Sequence, residues 1–371
     1  MKRSLRIDTP LALLLAVLLF GGCMIFASAA FGLLARGATN IPSVVFNHLV
    51  LGVGAGLVAL VGCTIIDYRI WRRFAPYLYV LSILLTTLVF VPHIGATLLG
   101  GRRWIVVAHV SFQPSEAMKV GSIMFAAAYF TAMRARVSTW TWGLGGFAGI
   151  ILIPAAILIL QPDIGTLGIL CVAVFAVFWV AGARLSHLFI VGASAVLVLG
   201  ILVATTPYIR ARVETFINPS ADQTSQGYQI KQSLIAIGSG ELLGRGWGQG
   251  IQKFTYLPEP MGDSIFAVAG EELGFVGSIG LIVLFLLFGL RGFYVAARAP
   301  DMFGMLLGIG ISTYLTFEAF FNIASMLGVA PLTGIPLTFV SQGGSAMLTS
   351  LASAGILLNI SRHQRRGGPE L

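Results

Sequence analysis

The sequence predicts an all-α polytopic membrane protein with ten transmembrane helices. Hydrophobic residues make up 57% of its 371 residues and charged residues only 10%, whereas a soluble domain carries about 25% charge. Apolar runs long enough to cross about 30 Å of hydrocarbon recur along the chain. The pattern lacks the short alternating segments typical of a β-barrel. It also contains no internal repeat or linker, so it predicts a single domain over residues 1–371.

The first apolar run is too long for the hydrophobic region of a signal peptide and has no small-residue cleavage pattern, so we expect a retained helix. Asp8-Thr9-Pro10 opens it, and proline suits a first helical turn. Pro92 and Pro207 end the third and seventh helices. The predicted spans are 10–35, 43–66, 74–92, 114–133, 141–160, 164–182, 186–206, 263–290, 302–328 and 341–361.

The distribution of basic residues predicts the orientation. With the N-terminus in the cytoplasm, fourteen Lys and Arg fall in inside segments, eight fall outside, and Lys119 lies within helix four. Basic residues favour the cytoplasmic side, and short loops count most. Both termini are therefore predicted to be cytoplasmic. One long extracytoplasmic loop, 207–262, then joins helices seven and eight.

Basic residues on the outer side are concentrated in two loops. Seven of the eight lie in 93–113 and 207–262. Basic residues on the translocated side oppose the rule that positive charge stays in the cytoplasm, so they need another explanation. Either they bind an anionic ligand, or they contact lipid headgroups and solvent. The net charge of +9 sits largely at helix ends and does not indicate nucleic-acid binding. Apolar positions in 207–262 predict two short helices in the membrane interface. The glycines of 238–250 predict a backbone that approaches a neighbour or an anion closely.

Acidic residues are scarce, and Asp263 has the most informative position among them. The chain has 14 Asp and Glu, and five of them fall between Glu241 and Glu272. Asp263 lies where a polar, Pro-rich stretch becomes the apolar run of helix eight. A carboxylate at membrane depth is expensive and indicates a functional site. Glu271 and Glu272, two turns further along the same predicted helix, are expected to pack that helix or to anchor the loop.

Three other polar features occur in apolar surroundings. Glu116 and Lys119 are spaced i, i+3 and share a helix face. They are predicted to pair, either as a staple between helices or as part of a cavity that orients substrate. Asp163 is predicted to cap helix six. Glu318 and Asn322 form a patch expected to make an interhelical hydrogen bond.

Proline and glycine residues between Pro331 and Ser345 predict an irregular, re-entrant entry to helix ten. Irregular backbone at membrane depth occurs only where it is buried in protein or lines a cavity. This favours a polar cavity open to the outer side. Arg102 and Arg103 lie on that side beside Trp104, and guanidinium groups match phosphate oxygens, although interfacial anchoring explains the same residues.

These residues fit the needs of glycosyl transfer from an outer-leaflet lipid that carries a diphosphate-linked sugar. The reaction needs a base for the attacking hydroxyl and positive charge, from side chains or a divalent ion, for the leaving diphosphate. Asp263 is the candidate catalytic base, with a pKa raised by burial. No serine triad, Walker loop or zinc pattern competes in the sequence. The candidate substrate-binding residues are Arg102, Arg103, Glu116, Lys119, Arg210, Arg212, Lys231, Gln232 and Ser341.

Over nearly its whole length the chain resembles the SEDS proteins (shape, elongation, division and sporulation), the RodA, FtsW and SpoVE group. The matching residues are Arg103-Trp104, Phe112-Gln-Pro-Ser-Glu116 with Lys119, Gln161-Pro-Asp-Ile-Gly165, Gly227-Tyr-Gln-Ile, Ala236-Ile-Gly-Ser-Gly240, Gly244-Arg-Gly246, Leu257-Pro-Glu259, Asp263 through Gly274, and Ser341-Gln-Gly-Gly-Ser345.

The resemblance implies a peptidoglycan glycosyltransferase in the bacterial cytoplasmic membrane, with an outward-facing site. Its substrate would be lipid II, an undecaprenyl diphosphate-linked disaccharide peptide, and its partner a class B penicillin-binding protein. A divalent cation, Mg²⁺ or Mn²⁺, is implied as a helper, without an organic cofactor. The family's essential acid falls on Asp263, a possible ligand of that cation, and its Glu–Lys pair on Glu116 and Lys119.

The chain departs from the family pattern at three places. Met261-Gly262 stands where the family often has His-Thr, and Gln342 stands where it has Tyr. The basic residue common before the last helix in division members is missing near Thr333 and Gly334. These differences leave roles in elongation and in division both open. Two other functions fit the same features: a flippase for lipid II, and a non-catalytic scaffold for the transpeptidase.

Overall fold

The computed structural model describes residues 7–35, 41–98, 101–107, 110–219 and 226–364, and this part of the chain is mainly helical. The helices are α1 (Thr9–Ala35), α2 (Ile41–Phe46), α3 (Ala55–Ile65), α4 (Arg69–Thr87), α5 (Pro114–Ala132), α6 (Gly145–Leu160), α7 (Ile164–Val180), α8 (Leu185–Thr205), α9 (Pro207–Ile217), α10 (Gln226–Ser239), α11 (Gln252–Thr255), α12 (Ile265–Ala297), α13 (Met302–Met326) and α14 (Gly344–Arg362).

Short irregular helical turns extend three of these helices. The π-helical segment Asn47–Gly54 joins α2 to α3, a 3₁₀ turn at Leu88–Phe90 ends α4, and a π-helical turn at Trp140–Leu144 opens α6. Helix α2, this segment and α3 together correspond to the second predicted span.

Within the described ranges, eight helical segments are long and apolar enough to cross a membrane, which confirms a polytopic helical architecture. The other two predicted spans are also helical: α5 is less apolar and contains Glu116 and Lys119, and α7 is short, with 17 residues. The eight segments are Thr9–Gly32, Val44–Ile65, Arg69–Phe90, Trp140–Leu160, Leu185–Thr205, Ile265–Ala297, Met302–Met326 and Gly344–Arg362.

The centre of the bundle is formed by α13 and α14. Helix α13 packs against α5, α7, α12 and α14, and α14 packs against α3. The contact between α14 and α3 is close at Gly355, where a Cβ atom would lie 2.5 Å from the carbonyl oxygen of Leu60. Helix α8 is mostly exposed apart from its first turns, where His187 is buried, and it packs chiefly against α9. The polar side chains of α13 and α14 are therefore enclosed by protein rather than by lipid.

Helix eight of the prediction, 263–290, differs from the observed α12, which ends later, at Ala297. The observed helix begins at Ile265, so Asp263 lies in the turn before it. It is also broken at Gly274, whose φ of 67° and ψ of −165° are non-helical and suit glycine because it lacks a Cβ atom. A short helix, 265–273, therefore precedes a longer one, 275–297. Glu271 and Glu272 therefore lie at the end of the short helix rather than within one continuous helix.

The segment 93–113, predicted as a loop on the outer side, contains a three-stranded antiparallel sheet. Its strands are β1 (Gly95–Leu98), β2 (Gly101–Val107) and β3 (Val110–Phe112), in that spatial order. The central strand pairs with both neighbours at Ile105, opposite Gly95 and Phe112. Arg103 and Trp104 lie in the central strand β2.

The long segment 207–262 contains the two predicted short helices, observed as α9 and α10, together with the unpredicted α11. The predicted irregular entry to helix ten is also observed, because 331–343 is not helical and α14 begins at Gly344 rather than at residue 341. Leu332, Ile335 and Leu337 of this segment are buried. The basic residues Lys2, Arg3, Arg6, Arg36, Arg365 and Arg366, which contribute to the predicted orientation, lie outside the described residues.

Candidate active site

A polar cavity of about 260 Å³ lies where the β-sheet, α5, α7, α9 and α10 meet the turn before α12 and the irregular segment before α14. These elements are distant in sequence and converge at one end of the bundle. The lining residues are Arg103, Trp104, Gln113, Glu116, Lys119, Asp163, Thr166, Ile169, Tyr208, Arg212, Gln226, Gln229, Glu259, Asp263, Leu332, Thr333, Gly334, Ile335 and Pro336.

A tight turn presents Asp263 to the cavity. The carbonyl oxygen of Glu259 accepts hydrogen bonds from the N–H groups of Gly262 (3.0 Å) and Ser264 (3.2 Å). Glu259 itself has a φ of 45°, a left-handed conformation that is uncommon for a residue other than glycine. Residues kept in such conformations cluster at functional sites. The turn therefore places two carboxylates, those of Glu259 and Asp263, on the same cavity wall.

Two buried side chains fix the backbone of this turn from behind. The Asn322 Nδ2 donates to the carbonyl oxygens of Asp263 (2.9 Å) and Ile335 (2.7 Å), so it joins the turn to the segment before α14. The Ser341 Oγ donates to the carbonyl oxygen of Gly262 at 2.7 Å. Asn322 and Ser341 therefore hold Asp263 in place through its backbone and leave its carboxylate directed to the cavity.

Burial raises the pKa of Asp263 to about 7, and the negative charge of Glu259 adds to this effect. The guanidinium groups of Arg212 and Arg103 partly offset this effect, because their positive charge lowers the pKa of Asp263. The side chain remains partly accessible on the cavity side. A carboxylate that changes its charge near neutral pH and can reach a ligand is suited to general-base catalysis.

Two predicted arginines reach the cavity. The Arg103 Nε donates to the carbonyl oxygen of Gln161 at 3.1 Å, and its Nη1 lies 3.6 Å from Asp163 Oδ1. The Arg212 guanidinium lies over the ring of Tyr208, with its central carbon 4.4 Å from the ring centroid. The Nε and Nη1 of Arg212 are buried and have no hydrogen-bond partner among the described residues. These donors are available to an anion in the cavity.

Five other predicted substrate-binding residues do not line the cavity. Arg102 donates to the carbonyl oxygen of Val91 at 3.2 Å, and Arg210 donates to backbone oxygens at the end of α8. Lys231 is exposed and Gln232 is half-buried on α10. The Ser341 hydroxyl hydrogen-bonds to backbone groups, donating to the carbonyl oxygen of Gly262 and accepting from the Leu337 N–H at 2.7 Å.

The predicted Glu116–Lys119 pair is confirmed and has a third member. The Lys119 Nζ lies 3.0 Å from Glu116 Oε1 and 2.7 Å from Glu318 Oε2, and all three side chains are at most 2% exposed. The ammonium also lies 4.8 Å from the centre of the Tyr314 ring. The group joins α5 to α13, and Glu116 and Lys119 line the cavity. The two roles predicted for the pair, staple and cavity wall, therefore coexist.

Several lining residues were missed as site residues. Asp163 caps α7 as predicted, accepting from the Thr166 N–H at 3.3 Å, but it also faces Arg103 in the cavity. Glu259 lies in the same stretch as Asp263, where the few acidic residues of the chain cluster. That clustering was the signal that could have identified it as a site residue. Gln229 lies on α10, and its Nε2 donates to Ser264 Oγ at 3.0 Å. Its place beside Asp263 depends on tertiary packing alone.

Comparison with known proteins identifies the family. The family model described as "Cell cycle protein", covering FtsW, RodA and SpoVE, matches residues 9–366. The chain belongs to this family. Stage V sporulation protein E of Bacillus subtilis is 38% identical over 315 residues, 85% of this chain and 86% of that protein. "Probable peptidoglycan glycosyltransferase FtsW" of Geobacter sp. strain M18 is 39% identical over 301 residues, 81% of this chain and 82% of that protein.

Solved structures agree with this family assignment. A chain of a peptidoglycan synthase complex, described as coordinating polymerization and crosslinking, has a TM-score of 0.77 at 28% identity and covers 98% of this chain and 99% of its own. The Rod shape-determining protein RodA of Thermus thermophilus has a TM-score of 0.69 at 27% identity, with the same coverage. The predicted family and its enzyme class, peptidoglycan glycosyltransferase, are confirmed.

Proposed function

We propose that this FtsW/RodA/SpoVE protein polymerises lipid II into glycan strands at the outer face of the bacterial cytoplasmic membrane, with Asp263 as the catalytic base. The observation that carries the proposal is the cavity itself. It combines a carboxylate whose pKa is raised to about 7 with the guanidinium groups of Arg103 and Arg212. A base and cations in one cavity are the two requirements of transfer from a diphosphate-linked sugar.

In the proposed reaction, a hydroxyl oxygen of one sugar attacks the anomeric carbon of another. A new carbon–oxygen bond forms as the bond between that carbon and the diphosphate oxygen breaks. Asp263 takes the proton of the attacking hydroxyl, a role that contributes typically about 10²–10⁴-fold to such reactions. Arg103 and Arg212 bind the negative charge that develops on the leaving diphosphate.

The charge of the cavity supports a divalent cation as a helper. Its lining includes three basic residues and four carboxylates: Arg103, Lys119, Arg212, Glu116, Asp163, Glu259 and Asp263. A diphosphate would enter this surplus of negative charge unfavourably unless a cation accompanied it or carboxylates were protonated.

The residues present fit such an ion. Mg²⁺ is usually held by one or two carboxylates together with substrate phosphates, and the described residues contain no group of three or more His, Cys, Asp or Glu placed for a metal. Glu259, together with phosphate oxygens of the substrate, would hold Mg²⁺ or Mn²⁺, and Asp263 would then act as the base. When bound, the ion would neutralise charge on the diphosphate.

The membrane topology and the partner belong to the same proposal. We infer ten transmembrane helices, with the less apolar α5 and the short α7 as the two spans beyond the eight named above, and both termini in the cytoplasm. The segment 207–262 and the cavity then face outward, where lipid II is presented. The fold of a peptidoglycan synthase complex component matches this chain over 98% of its length, which supports a class B penicillin-binding protein as partner.

Reconstitution tests the proposal. The purified protein with its partner, lipid II and Mg²⁺ or Mn²⁺ is expected to form glycan strands resolved on gels, and Asp263→Asn is expected to form none. Glu214→Gln, which changes an exposed acid of α9, is the matched control and should polymerise like the wild type. Polymer made by Asp263→Asn would refute the assignment of the base. Movement of lipid II across vesicles without polymer would indicate a flippase, and neither activity would indicate a scaffold.

A further inference from the structure

The short helix 265–273 has two carboxylates at its far end that the proposed mechanism does not use. Glu271 and Glu272 are 1% and 2% exposed. Negative charge is unfavourable at the C-terminal end of a helix, where unpaired carbonyl groups already point outward. Burial adds a further cost unless the charges are paired and hydrogen-bonded. The contacts of both residues therefore have to supply strong compensation.

The Glu271 carboxylate binds the backbone that leads into α11. Its Oε1 accepts from the N–H of Ile251 at 2.8 Å, and its Oε2 accepts from the N–H of Gln252 at 3.1 Å. The Arg245 Nε lies 3.6 Å from Oε1.

The Glu272 carboxylate forms a buried ion pair with Lys253, with 2.5 Å between Lys253 Nζ and Oε1. The Ser28 hydroxyl of α1 donates to the same carboxylate at 2.6 Å. The N–H of Gly248 donates to its Oε2 at 3.1 Å. One side chain thus joins the short helix to α1 and to the segment 244–253.

Backbone contacts at the break in α12 complete the attachment. The N–H groups of Arg245 and Gly246 donate to the carbonyl oxygens of Glu271 and Glu272, both at 3.0 Å, which the broken helix leaves free. The approach is close, because a Cβ atom on Gly244 would lie 2.1 Å from the Glu272 carbonyl oxygen. Segment 244–253 therefore clamps the C-terminal end of the short helix through side chains and backbone.

The other end of this helix carries the catalytic candidate. Asp263 is two residues before Ile265, and residues 265–270 are all buried. A helix this short, enclosed on all sides, moves as one unit because its hydrogen-bonded turns are coupled. A displacement at Glu271 and Glu272 is therefore passed on to the turn that holds Asp263.

We propose that Glu271 and Glu272 are positioning residues for Asp263, acting through the helix that joins them. They hold the helix in register with the cavity by binding segment 244–253 and α1. This inference rests on the proposed role of Asp263. The sequence predicted that these glutamates anchor the loop. The structure adds that the helix they anchor begins just after Asp263.

Two variants test this role. Glu271→Gln keeps the size of the side chain but removes its charge. Lys253→Met combined with Glu272→Gln removes the ion pair as a unit, so that no buried charge is left unpaired. A misplacement of about 1 Å can cost about 100-fold in rate. We expect kcat for lipid II polymerisation to fall up to about 100-fold, with KM within about 2-fold, and the acidic midpoint of the pH–rate profile to move.

Glu241→Gln is the matched control, since this acidic side chain of the same region is exposed, and it should leave all three quantities unchanged. Rates are expressed per folded molecule, from monodisperse protein after detergent extraction. If both variants keep the wild-type kcat and pH midpoint while only their melting temperature falls, the two glutamates only stabilise the fold and the positioning role is refuted.

Asp263→Asn, assayed in parallel, separates the two proposals. An active Asp263→Asn enzyme overturns the base assignment whatever the glutamate variants do. An inactive Asp263→Asn enzyme combined with wild-type behaviour of both glutamate variants overturns the positioning role alone.

Discussion

The ionisation of Asp263 predicts how the activity depends on pH. A base works only when deprotonated, and the pKa of Asp263 is raised to about 7, so activity is lost as the pH falls through this value. About one tenth of the carboxylate is ionised at pH 6 and about nine tenths at pH 8. We therefore expect kcat/KM, which reports groups of the free enzyme, to rise about 10-fold from pH 6 to pH 8.

Variants of two residues near Asp263 should move the midpoint of the pH–rate profile in opposite directions. Glu259→Gln removes a negative charge that raises the pKa of Asp263, so its profile should shift to lower pH. Arg212→Gln removes a positive charge that lowers the same pKa, so its profile should shift to higher pH. Initial rates of polymerisation between pH 5.5 and 9 measure both shifts, with Glu214→Gln as the control. A profile that is flat between pH 6 and 8, or shifts of the opposite sign, would refute the reasoning.

Three further substitutions test the supports of the site. Lys119→Met leaves the buried carboxylate of Glu318 unpaired and should lower the free energy of unfolding by about 3–5 kcal/mol. The melting temperature should fall, and adding Glu318→Gln should partly restore it. An unchanged melting temperature would contradict this. Gly334→Ala forces a side chain into a φ of 72° with its Cβ 3.4 Å from Asp263 Oδ2, so stability should fall by about 1–2 kcal/mol and the polymerisation rate should fall with it. Ser341→Ala removes two hydrogen bonds at 2.7 Å and should cost about 1–3 kcal/mol, with lower kcat at unchanged KM; retention of full kcat would exclude a role in holding the turn.

Local sequence patterns predicted the helices because apolar runs of sufficient length have few other stable conformations in a bilayer. They did not predict the break at Gly274. The hydrophobic pattern continues across this residue, and the free backbone groups are satisfied by a segment about thirty residues earlier in the chain. A helix break that depends on distant partners leaves little local signal.

The arginines show how an unpredicted strand limited the site prediction. Arg102 and Arg103 are adjacent, and successive side chains of a strand point to opposite faces of a sheet. In β2, Arg103 faces the cavity, while Arg102 binds the carbonyl oxygen of Val91. Without knowledge of the sheet, the sequence pattern could not distinguish the two arginines. The Glu116–Lys119 pair was predictable because its spacing is helical, whereas Glu318 joins it only through the packing of α13 on α5.

The departure at Met261-Gly262 left Asp263 without polar neighbours in sequence that would control its ionisation. The structure supplies that control from elsewhere. Met261 is buried, and its carbonyl oxygen accepts from the Gln342 N–H at 2.7 Å, while the Gly262 carbonyl oxygen accepts from Ser341. The segment before α14 thus holds the backbone on the N-terminal side of Asp263, and the surrounding carboxylates and guanidinium groups set its charge. The backbone carbonyl groups of residues 261 and 262, rather than polar side chains at these positions, therefore make the contacts on which the position of Asp263 depends.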